Sequence, residues 1–422
     1  LERTMQEAKE PPQIVVFDES SMLKNATSRR TQLAIALTGE MEKKYAQDCA
    51  VFLLTGTPAP QNPFDWWSQC EVVRPGWLRE ANISHFQRRL AEYEPGERAD
   101  GGYYPKFVQY KQKELDLLPK RLEGLVLVTW KKDCLDLPEK VYEEIVCPPD
   151  QSTLRVARAI AKGAGEESAL QVQSKLRQLS DGFQYIRVPC NECSAVIECS
   201  AVIECNTTSI VSEVSLRERV LPEELVLHSV QLCHSCGGRG FHQQTRVGST
   251  PKDQALVDLL EEHLEVHRIV IYAAFTASVD RVVEICQKEG WYVWRYDGRG
   301  QQIFTPSSGG RGISVDETVF QDNIQQPENI AFVGNPEAAG MGLTLTPSPS
   351  VVFYSNSFKS QFRIQAEDRI HRPGASKERG CKVIDLIHLP TDRLVLDRLK
   401  EKRDVETTTL VEIQSVYEMT EK

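Results

Sequence analysis

Apolar residues occur in short runs that alternate with amphipathic segments along much of the chain. Residues 13–17 (QIVVF) lead into Asp18 and Glu19, and residues 50–58 (AVFLLTGTP) end in a Thr-Gly-Thr turn. Such runs predict buried parallel strands. Between them, NATSRRTQLAIAL has apolar residues at helical spacing, with Thr27 or Ser28 as its N-cap. Strand, helix and strand form a βαβ unit, in which polar residues at the strand ends meet a ligand.

The same alternation returns in the second half of the chain. DQALVDLLEEHLEVH predicts an amphipathic helix, RIVIYAAF a strand, and ASVDRVVEICQKEG a helix closed by Gly290. Further strands are predicted at NIAFVG, SVVFYS and CKVIDLI. Near residues 130–150, a charge run and a Pro pair favour a linker. The sequence therefore predicts an α/β fold with these parts: a first domain with its linker (1–145), a second domain (146–184 and 246–422) and an insert (185–245).

Length and charge narrow the class of protein. A chain of 422 residues exceeds what one core usually organises, which fits two or three domains. No apolar run reaches about 18 residues, so no membrane-spanning helix is predicted. The first residues lack the apolar region of a secretory signal, so we expect a cytoplasmic protein. The net charge of -10 argues against a surface that binds nucleic acid everywhere, but is compatible with a local basic groove.

The cysteines of the insert form the clearest metal signal. The insert contains Cys190-x-x-Cys193 and Cys233-x-x-Cys236, two pairs with the spacing that tetrahedral Zn²⁺ favours. Clustered cysteines in an intracellular chain indicate metal binding more than disulfides. We therefore predict a Zn²⁺ site formed by these four thiolates, with reduced, half-buried thiols as the alternative. A tandem SAVIEC repeat adds Cys199 and Cys205, which are alternative ligands.

Six motifs occur along the chain in a characteristic order. They are DESSMLKN, LLTGTPAPQNPFDWWSQ, WKKDCLDLPEK, IVIYAAF with YDG, AAGMGLTLT and QAEDRIHRPG. In this order they resemble the motifs of superfamily-two helicase-like ATPases, specifically the Swi/Snf-type DNA translocases. The resemblance covers most of the chain outside the insert. It implies two RecA-like lobes with parallel sheets, the zinc insert lying in the second lobe.

The resemblance also implies a function. It is that of a DNA-dependent ATPase that couples ATP hydrolysis to movement on duplex DNA or to its remodelling. A role in replication, recombination or repair follows by analogy, and the compact size fits a phage or bacterial protein. The competing hypothesis is a catalytically inactive module that uses the zinc insert to hold DNA or a protein partner.

Phosphoryl transfer needs positioning and charge stabilisation above all, and the motifs offer residues for both. By resemblance, Asp18 would hold Mg²⁺ through water and Glu19 would orient or deprotonate the attacking water. The nucleotide itself would be bound by residues from three further motifs: Thr55, Thr57, Gly340, Gly342 and Gln365. The two threonines would hydrogen-bond and relay the state of the phosphates, with a simple capped turn as the alternative.

Arg369 and Arg372 are the predicted arginine fingers. Their i, i+3 spacing predicts that they share one helix face. Guanidinium groups suit the distributed charge of a γ-phosphate in transfer. The alternative is a surface helix in which Glu367 and Asp368 pair with the two arginines.

Contacts with DNA are less directly encoded. Proteins that follow phosphates use Lys, Arg, Thr and amide groups, so the candidates are Lys24, Asn25, Arg29 and Thr344. For Arg29 the alternative is a solvated charge on the surface of a helix. By resemblance, such a protein would contact the backbone of double-stranded DNA without reading its sequence. Trp66 and Trp67 either stack on bases or, as their helical spacing with an apolar neighbour favours, belong to a core.

The chain departs from the family pattern in three ways. Ser21 and Ala375 stand where the family usually has His and Gln. More importantly, no G-x-x-x-x-G-K-[ST] loop (P-loop) occurs, and only 17 residues precede Asp18. We therefore expect the first lobe to be incomplete. We also expect this polypeptide alone to bind ATP poorly and to hydrolyse almost none.

Overall fold

The protein forms two compact units. The computed structural model describes residues 10–46, 48–56, 58–59, 62–97, 102–129, 131–163, 168–189, 241–306, 320, 329–339, 342–357 and 359–401. Described parts of 1–137, 358–365 and 397–407 make the first unit, and those of 138–357 and 366–396 make the second. The fold is mixed α/β with one large, mostly parallel sheet. None of the helices in the described ranges is long and apolar enough to cross a bilayer.

The first unit begins with the predicted βαβ unit. Strand β1 (Ile14–Asp18) pairs in parallel with β2 (Ala50–Leu54), and helix α1 (Arg29–Tyr45) connects them. A 3₁₀ turn (Ser20–Leu23) follows β1 directly. The side chain of Ser28 accepts a hydrogen bond from the Thr31 amide, so Ser28 is the N-cap of α1. The prediction of strand, helix and strand is therefore confirmed for these residues.

The prediction that β1 and β2 are buried was wrong. Alternate residues on one face of the pair are exposed: Ile14 by 64 %, Val16 by 54 %, Phe52 by 51 % and Leu54 by 51 %. The opposite face packs on Leu23, Ala34 and Val72. An apolar run shows only that both faces can be buried, and here a single face is covered by the described part of the chain.

A helical subdomain completes the first unit. Its elements are α2 (Asp65–Val73), α3 (Ile83–Leu90), β3 (Ala91–Glu97), β4 (Tyr103–Tyr110), α4 (Gln112–Leu122) and α5 (Lys131–Cys134). Strands β3 and β4 form a separate antiparallel ribbon. The helices enclose a core of Cys70, Leu78, Phe86, Leu90, Leu118 and Leu122. Trp66 and Trp67 pack against this core, which confirms the core interpretation of the two tryptophans.

From Pro138 onward the chain alternates strands and helices. The elements are β5 (Lys140–Val146), α6 (Gln151–Lys162), α7 (Ala169–Ser180), β6 (Phe183–Pro189), β7 (Phe241–Val247), α8 (Lys252–Glu262), β8 (Arg268–Tyr272), α9 (Thr276–Lys288), β9 (Tyr292–Asp297), β10 (Gly300–Phe304), β11 (Ile330–Gly334), α10 (Pro336–Ala339), β12 (Ser350–Phe353), α11 (Ser360–Glu367), β13 (Cys381–Ile387) and α12 (Pro390–Lys400). All the strands and helices predicted here are present. Gly290 ends α9 with a positive φ of 81°, as expected of a C-terminal glycine.

The second unit is organised by a seven-stranded sheet. Its order is β10-β9-β11-β8-β12-β13-β5, and all neighbours are parallel except β10 and β9. Strands β8 and β11 are buried at every residue, because apolar side chains cover both faces of the sheet. The carboxyl ends of these parallel strands form one edge, where open α/β sheets bind ligands.

Strand β5 corrects the predicted linker. Residues 130–150 were expected to connect the domains, and the boundary between the two units does fall there, after Leu137. Lys140 to Val146, however, pair along their whole length with Cys381 to Ile387 of β13. β5 is an edge strand in the sheet, and Val141 and Val146 are exposed by 56 % and 62 %. Because edge strands tolerate charged and exposed residues, KVYEEIV lacks the apolar signature of an inner strand.

The predicted insert begins and ends in an antiparallel ribbon. β6 pairs with β7 from Phe183 opposite Val247 to Pro189 opposite Phe241. The four predicted zinc ligands, Cys190, Cys193, Cys233 and Cys236, lie outside the described residues. So do the alternative ligands Cys199 and Cys205.

Candidate functional site

Asp18 and Glu19 stand at the carboxyl end of β1. Asp18 is exposed, and one of its carboxylate oxygens accepts a hydrogen bond from the Glu19 amide at 2.9 Å. Glu19 has a left-handed backbone with φ 53°, which costs on the order of 1 kcal/mol for a residue other than glycine. The chain therefore turns sharply as it leaves β1.

The turn after Asp18 is held by hydrogen bonds to α2 and α1. Buried Ser20 donates its hydroxyl hydrogen to Gln69 Oε1 at 2.8 Å. The hydroxyl of Ser68 donates to the Lys24 carbonyl at 3.0 Å, and that of Thr31 to the Leu23 carbonyl at 3.1 Å. Sequence reasoning missed Gln69. The signal was a polar residue on the buried side of an apolar helix.

Thr55 directly follows β2, beside this turn. Asp18 is the register partner of Leu54, so Thr55 continues from the point where the acidic pair leaves β1. The sheet thus brings Asp18, Glu19 and Thr55 to one edge, as the pattern of strand ends indicated. Thr57 lies outside the described residues.

Three of the predicted DNA contacts lie between β1 and the first turn of α1. Asn25 is exposed, and its side-chain oxygen accepts hydrogen bonds from the amide and the hydroxyl of Thr27, at 3.0 and 2.9 Å. Asn25 therefore shapes the turn that leads into α1. Lys24 is half-buried, and Arg29 is exposed in the first turn of α1. Their contacts with DNA stay a prediction.

Gly342 and Thr344 lie in the segment that precedes β12. Both are exposed, and Gly342 has a positive φ of 82°, a conformation that favours glycine. Between them in sequence, Leu343 has a carbonyl that accepts hydrogen bonds from Arg369 and Arg372. Gly340 lies outside the described residues.

Arg369 and Arg372 are not on a helix, which corrects the expectation of a shared helix face. Helix α11 ends at Glu367, and both arginines lie in the turns that follow. They are nevertheless brought together, because Arg369 Nη1 and Arg372 Nη1 donate to the same Leu343 carbonyl, at 3.3 and 3.2 Å. Arg369 is only 3 % exposed, so this segment is not the surface helix of the alternative interpretation.

The acidic residues beside these arginines contact β5. Lys140 Nζ lies 3.1 Å from Glu367 Oε2 and 3.2 Å from Asp368 Oδ1. The Tyr142 hydroxyl donates to Glu367 at 3.0 Å. Burial lowers the pKa of Lys140, but the two carboxylates together have a larger, opposite effect. The pKa of Lys140 therefore lies above its ordinary value. Sequence reasoning missed Lys140, because only the sheet brings it to the arginine segment.

Tyr272 is a further buried group behind the two arginines. It is completely buried at the carboxyl end of β8, and its ring stacks on Phe353 with centroids 5.8 Å apart. Its hydroxyl has no hydrogen-bond partner within the described ranges. Burial raises the pKa of Tyr272, although Arg369 and Arg372 lie close enough to oppose the shift. His371, nearby in sequence, contacts the Pro138 carbonyl at 2.8 Å.

Gln365 contacts the acidic pair within the first unit. Its Nε2 donates to Glu19 Oε2 at 3.2 Å, and both residues belong to that unit. The side-chain oxygen of Gln365 is buried without a hydrogen-bond partner among the described residues. Gln365 is thus placed next to a predicted catalytic carboxylate.

The acidic pair suits Mg²⁺ held through water. Asp18 is exposed, and its second carboxylate oxygen has no hydrogen bond or ion pair within the described part of the chain. Mg²⁺ prefers oxygen ligands and keeps several of its waters, so one open carboxylate is a sufficient anchor. No group of three or more His, Cys, Asp or Glu is arranged to hold a metal directly among the described residues.

Sequence comparisons find Swi/Snf-type proteins. No protein-family model matches the chain. It is 22 % identical over 396 residues to TATA-binding protein-associated factor mot1 of Schizosaccharomyces pombe, covering 87 % of the chain and 18 % of that protein. It is 20 % identical over 404 residues to Protein CHROMATIN REMODELING 4 of Arabidopsis thaliana, covering 92 % of the chain and 15 % of that protein. The chain thus spans less than a fifth of either relative.

A third relative is more similar over a shorter stretch. Chromatin-remodeling ATPase INO80 of Candida albicans is 30 % identical over 155 residues, 36 % of the chain and 10 % of that protein. Among solved structures, the Sulfolobus solfataricus SWI2/SNF2 ATPase core in complex with dsDNA has 17 % identity and a TM-score of 0.37, covering 99 % of this chain and 72 % of that one. The similarity to the curated relatives supports the Swi/Snf superfamily of helicase-like ATPases.

Proposed function

We propose that this chain forms part of a DNA-dependent ATPase of the Swi/Snf type that moves on or remodels duplex DNA. One observation carries the proposal: the sheet register brings Asp18, Glu19 and Thr55 to one strand edge, with an oxygen of Asp18 open. The named ATPase and chromatin-remodelling relatives support it. A role in replication, recombination or repair, a phage or bacterial origin and a cytoplasmic location stay predictions.

In this proposal, each strand-end residue has a task in ATP hydrolysis. Asp18 holds Mg²⁺ through water, and the ion neutralises phosphate charge when bound. Glu19 orients the attacking water and accepts its proton. Thr55, Thr57, Gly340, Gly342 and Gln365 contact the nucleotide.

The arginines and the DNA contacts complete the proposed machinery. Arg369 and Arg372 stabilise the negative charge that spreads over the γ-phosphoryl oxygens. Their shared contact with Leu343 ties them to the segment that holds Gly342 and Thr344. That connection is a physical route by which phosphate state reaches Thr344. Lys24, Asn25, Arg29 and Thr344 hold the DNA backbone.

Substitution of Glu19 tests the proposed chemistry. In the natural protein that carries this sequence, Glu19→Gln should lower DNA-stimulated ATP hydrolysis by about 10²-fold or more, because a positioned base contributes that much. ATP binding should be retained, since the amide has the same shape. Glu40→Gln, an exposed change on α1, serves as the control. The proposal fails if the natural protein hydrolyses no ATP on duplex DNA, or if Glu19→Gln is as active as the control.

We further propose that the insert binds Zn²⁺ through Cys190, Cys193, Cys233 and Cys236. Support comes from the β6–β7 ribbon, in which Pro189 lies opposite Phe241. Cys190 follows Pro189 directly, and Cys236 precedes Phe241 by five residues, so in sequence both cysteine pairs adjoin the same end of the described ribbon. Such an arrangement suits a structural zinc site.

Metal analysis tests this assignment. The purified chain should contain one Zn²⁺, and Cys193→Ser with Cys236→Ser should remove it, because thiolates supply the site. The control is Cys134→Ser, since Cys134 is an exposed free cysteine. Zinc-free wild-type protein, or a double variant that keeps its zinc, would contradict the assignment. A zinc-containing natural protein that binds DNA or a protein partner without hydrolysing ATP would favour the alternative of an inactive binding module.

A further inference from the structure

The helical subdomain of the first unit carries a groove whose charge opposes that of the whole chain. Two cavities of about 550 and 580 Å³ adjoin at Arg79. Besides Glu80, Glu114 and Glu123, they are lined by six basic side chains: Arg74, Arg79, Arg89, Lys111, Lys120 and Arg121. Six Arg and Lys side chains against three Glu side chains make this region positive, whereas the chain has a net charge of -10. We call it the basic groove.

The groove adjoins the hydrophobic core of the subdomain. The loop between α2 and α3 supplies Arg74 and Arg79, while the remaining bases come from α3 and from around α4. Leu78, which lies between the two loop arginines, is 1 % exposed and belongs to the subdomain core. Trp77 donates its ring hydrogen to the Arg121 carbonyl at 2.9 Å, and Arg74 lies over the same ring. Core and groove are therefore fixed together.

The acids of the groove neutralise only part of its positive charge. Glu80 is largely buried and is shared by Arg89 and Arg121, each 2.6 Å away. By contrast, Arg79 and Lys120 are exposed and have no acidic partner in the described part of the chain. Their charges are available to a ligand.

We propose that the basic groove binds the phosphate backbone of duplex DNA, at a contact separate from Lys24, Asn25, Arg29 and Thr344. Basic side chains that line two adjoining cavities can contact several successive phosphates of one backbone. An acidic peptide fits less well, because its amide groups need acceptors and the deepest acceptor, Glu80, already binds two arginines. The choice of DNA as the polyanion rests on the proposed function.

Salt dependence of DNA binding tests the groove. Binding of a fluorescent mixed-sequence duplex to the full chain is measured by anisotropy at increasing salt. Replacing both Arg79 and Lys120 by Ala should weaken binding and reduce the slope of log K against log salt by about two, because each lost phosphate contact removes about 0.9. The matched control replaces Arg88 and Lys113 by Ala, an exposed pair on or beside the same helices but outside the groove.

The outcomes separate the groove from its alternatives. An unchanged slope in the groove variant, or an equal loss in the control, would overturn the proposal. Poly-glutamate that binds in place of DNA, with only its binding lost in the groove variant, would also overturn it and indicate an acidic protein ligand. Circular dichroism confirms that both variants are folded.

Activity of the natural protein distinguishes failure of the groove from failure of the proposed function. The groove variant should raise the DNA concentration that gives half-maximal ATP hydrolysis, while the rate at saturating DNA stays unchanged. If Glu19→Gln leaves hydrolysis intact but the groove variant still lowers the salt slope, the DNA contact stands and the ATPase assignment fails. If Glu19→Gln lowers hydrolysis but the groove variant has an unchanged salt slope, the ATPase assignment stands and the proposed DNA contact fails.

Discussion

Among single residues, Lys252 lies at the centre of a buried network of charged and polar groups in the second unit. It is completely buried, and its Nζ lies 3.0 Å from Asp181, 3.1 Å from Asp392 and 3.1 Å from the Tyr354 carbonyl. Burial lowers the pKa of Lys252, but the two carboxylates more than compensate and hold it above its ordinary value. The ammonium therefore stays charged. Hydroxyls of Ser278 and Ser180 bind the same carboxylates, so the network is closely satisfied.

Removing that ammonium should destabilise the second unit strongly. Lys252→Met leaves two buried carboxylates without their cation, and breaking a buried pair in this way costs about 3–5 kcal/mol. The free energy of unfolding is measured by chemical denaturation, with the fluorescence of buried Trp291 and Trp294 as the probe. Lys288→Met, an exposed change on α9, should alter it by less than about 0.5 kcal/mol. Equal stability of the two variants would show that the network contributes little.

The candidate site was predictable where it depends on local sequence. Asp18, Glu19 and Thr55 follow apolar strands, so their meeting at one sheet edge follows from the pattern alone. Gln69 carried a sequence signal as a polar residue on the buried side of an apolar helix, but its partner Ser20 was not predictable. Lys140 was not predictable at all, because it acts through a tertiary contact with a distant segment. The same holds for the Leu343 carbonyl, which binds two arginines 26 and 29 residues away in sequence.

At the scale of elements, the sequence predicted whether a segment forms a strand or a helix, but not how far it is buried or where it lies in a sheet. Apolar runs identified β8, β11, β12 and β13, and helical spacing identified α8 and α9. The same signal overestimated the burial of β1 and β2, because an apolar run does not show what packs on its second face. It also missed β5, whose edge position permits charged residues.

The end of α11 illustrates the limit of periodicity. The spacing of Arg369 and Arg372 predicted one helix face, but the helix ends at Glu367. Tertiary contacts replace the helix there: the Leu345 amide donates to the Arg369 carbonyl at 2.9 Å, and Lys140 holds Glu367 and Asp368. Proximity of the two arginines was thus expected for the wrong reason, since a shared carbonyl and not a helix face unites them.

For the whole molecule, net charge was a poor guide to binding surfaces. The chain is acidic overall, yet the basic groove is lined by six Arg and Lys side chains and by three Glu side chains. Charged groups separated by more than about 10 Å are screened at moderate salt, so a ligand responds to the local balance. The sequence allowed such a groove, but only the folding of α3 and α4 onto one core assembles it.

The described segments should also differ widely in resistance to opening, which hydrogen exchange can measure. Strands β8 and β11 are buried throughout and paired on both sides, so their amides exchange only in large unfolding events. Strand β4 is exposed throughout and pairs only with β3, so it should open locally. Peptides covering 268–272 and 330–334 should therefore remain protected long after 103–110 has exchanged.

The edge strand of the large sheet provides the internal control for this experiment. Strand β5 belongs to the same sheet as β8 but has one neighbour, β13, among the described strands. If position within the sheet governs protection, residues 140–146 should exchange before 268–272, despite sharing one sheet. Equal protection of β5, β8 and β4 would instead mean that all three open only in one cooperative transition, so that burial and strand pairing do not set the order of opening.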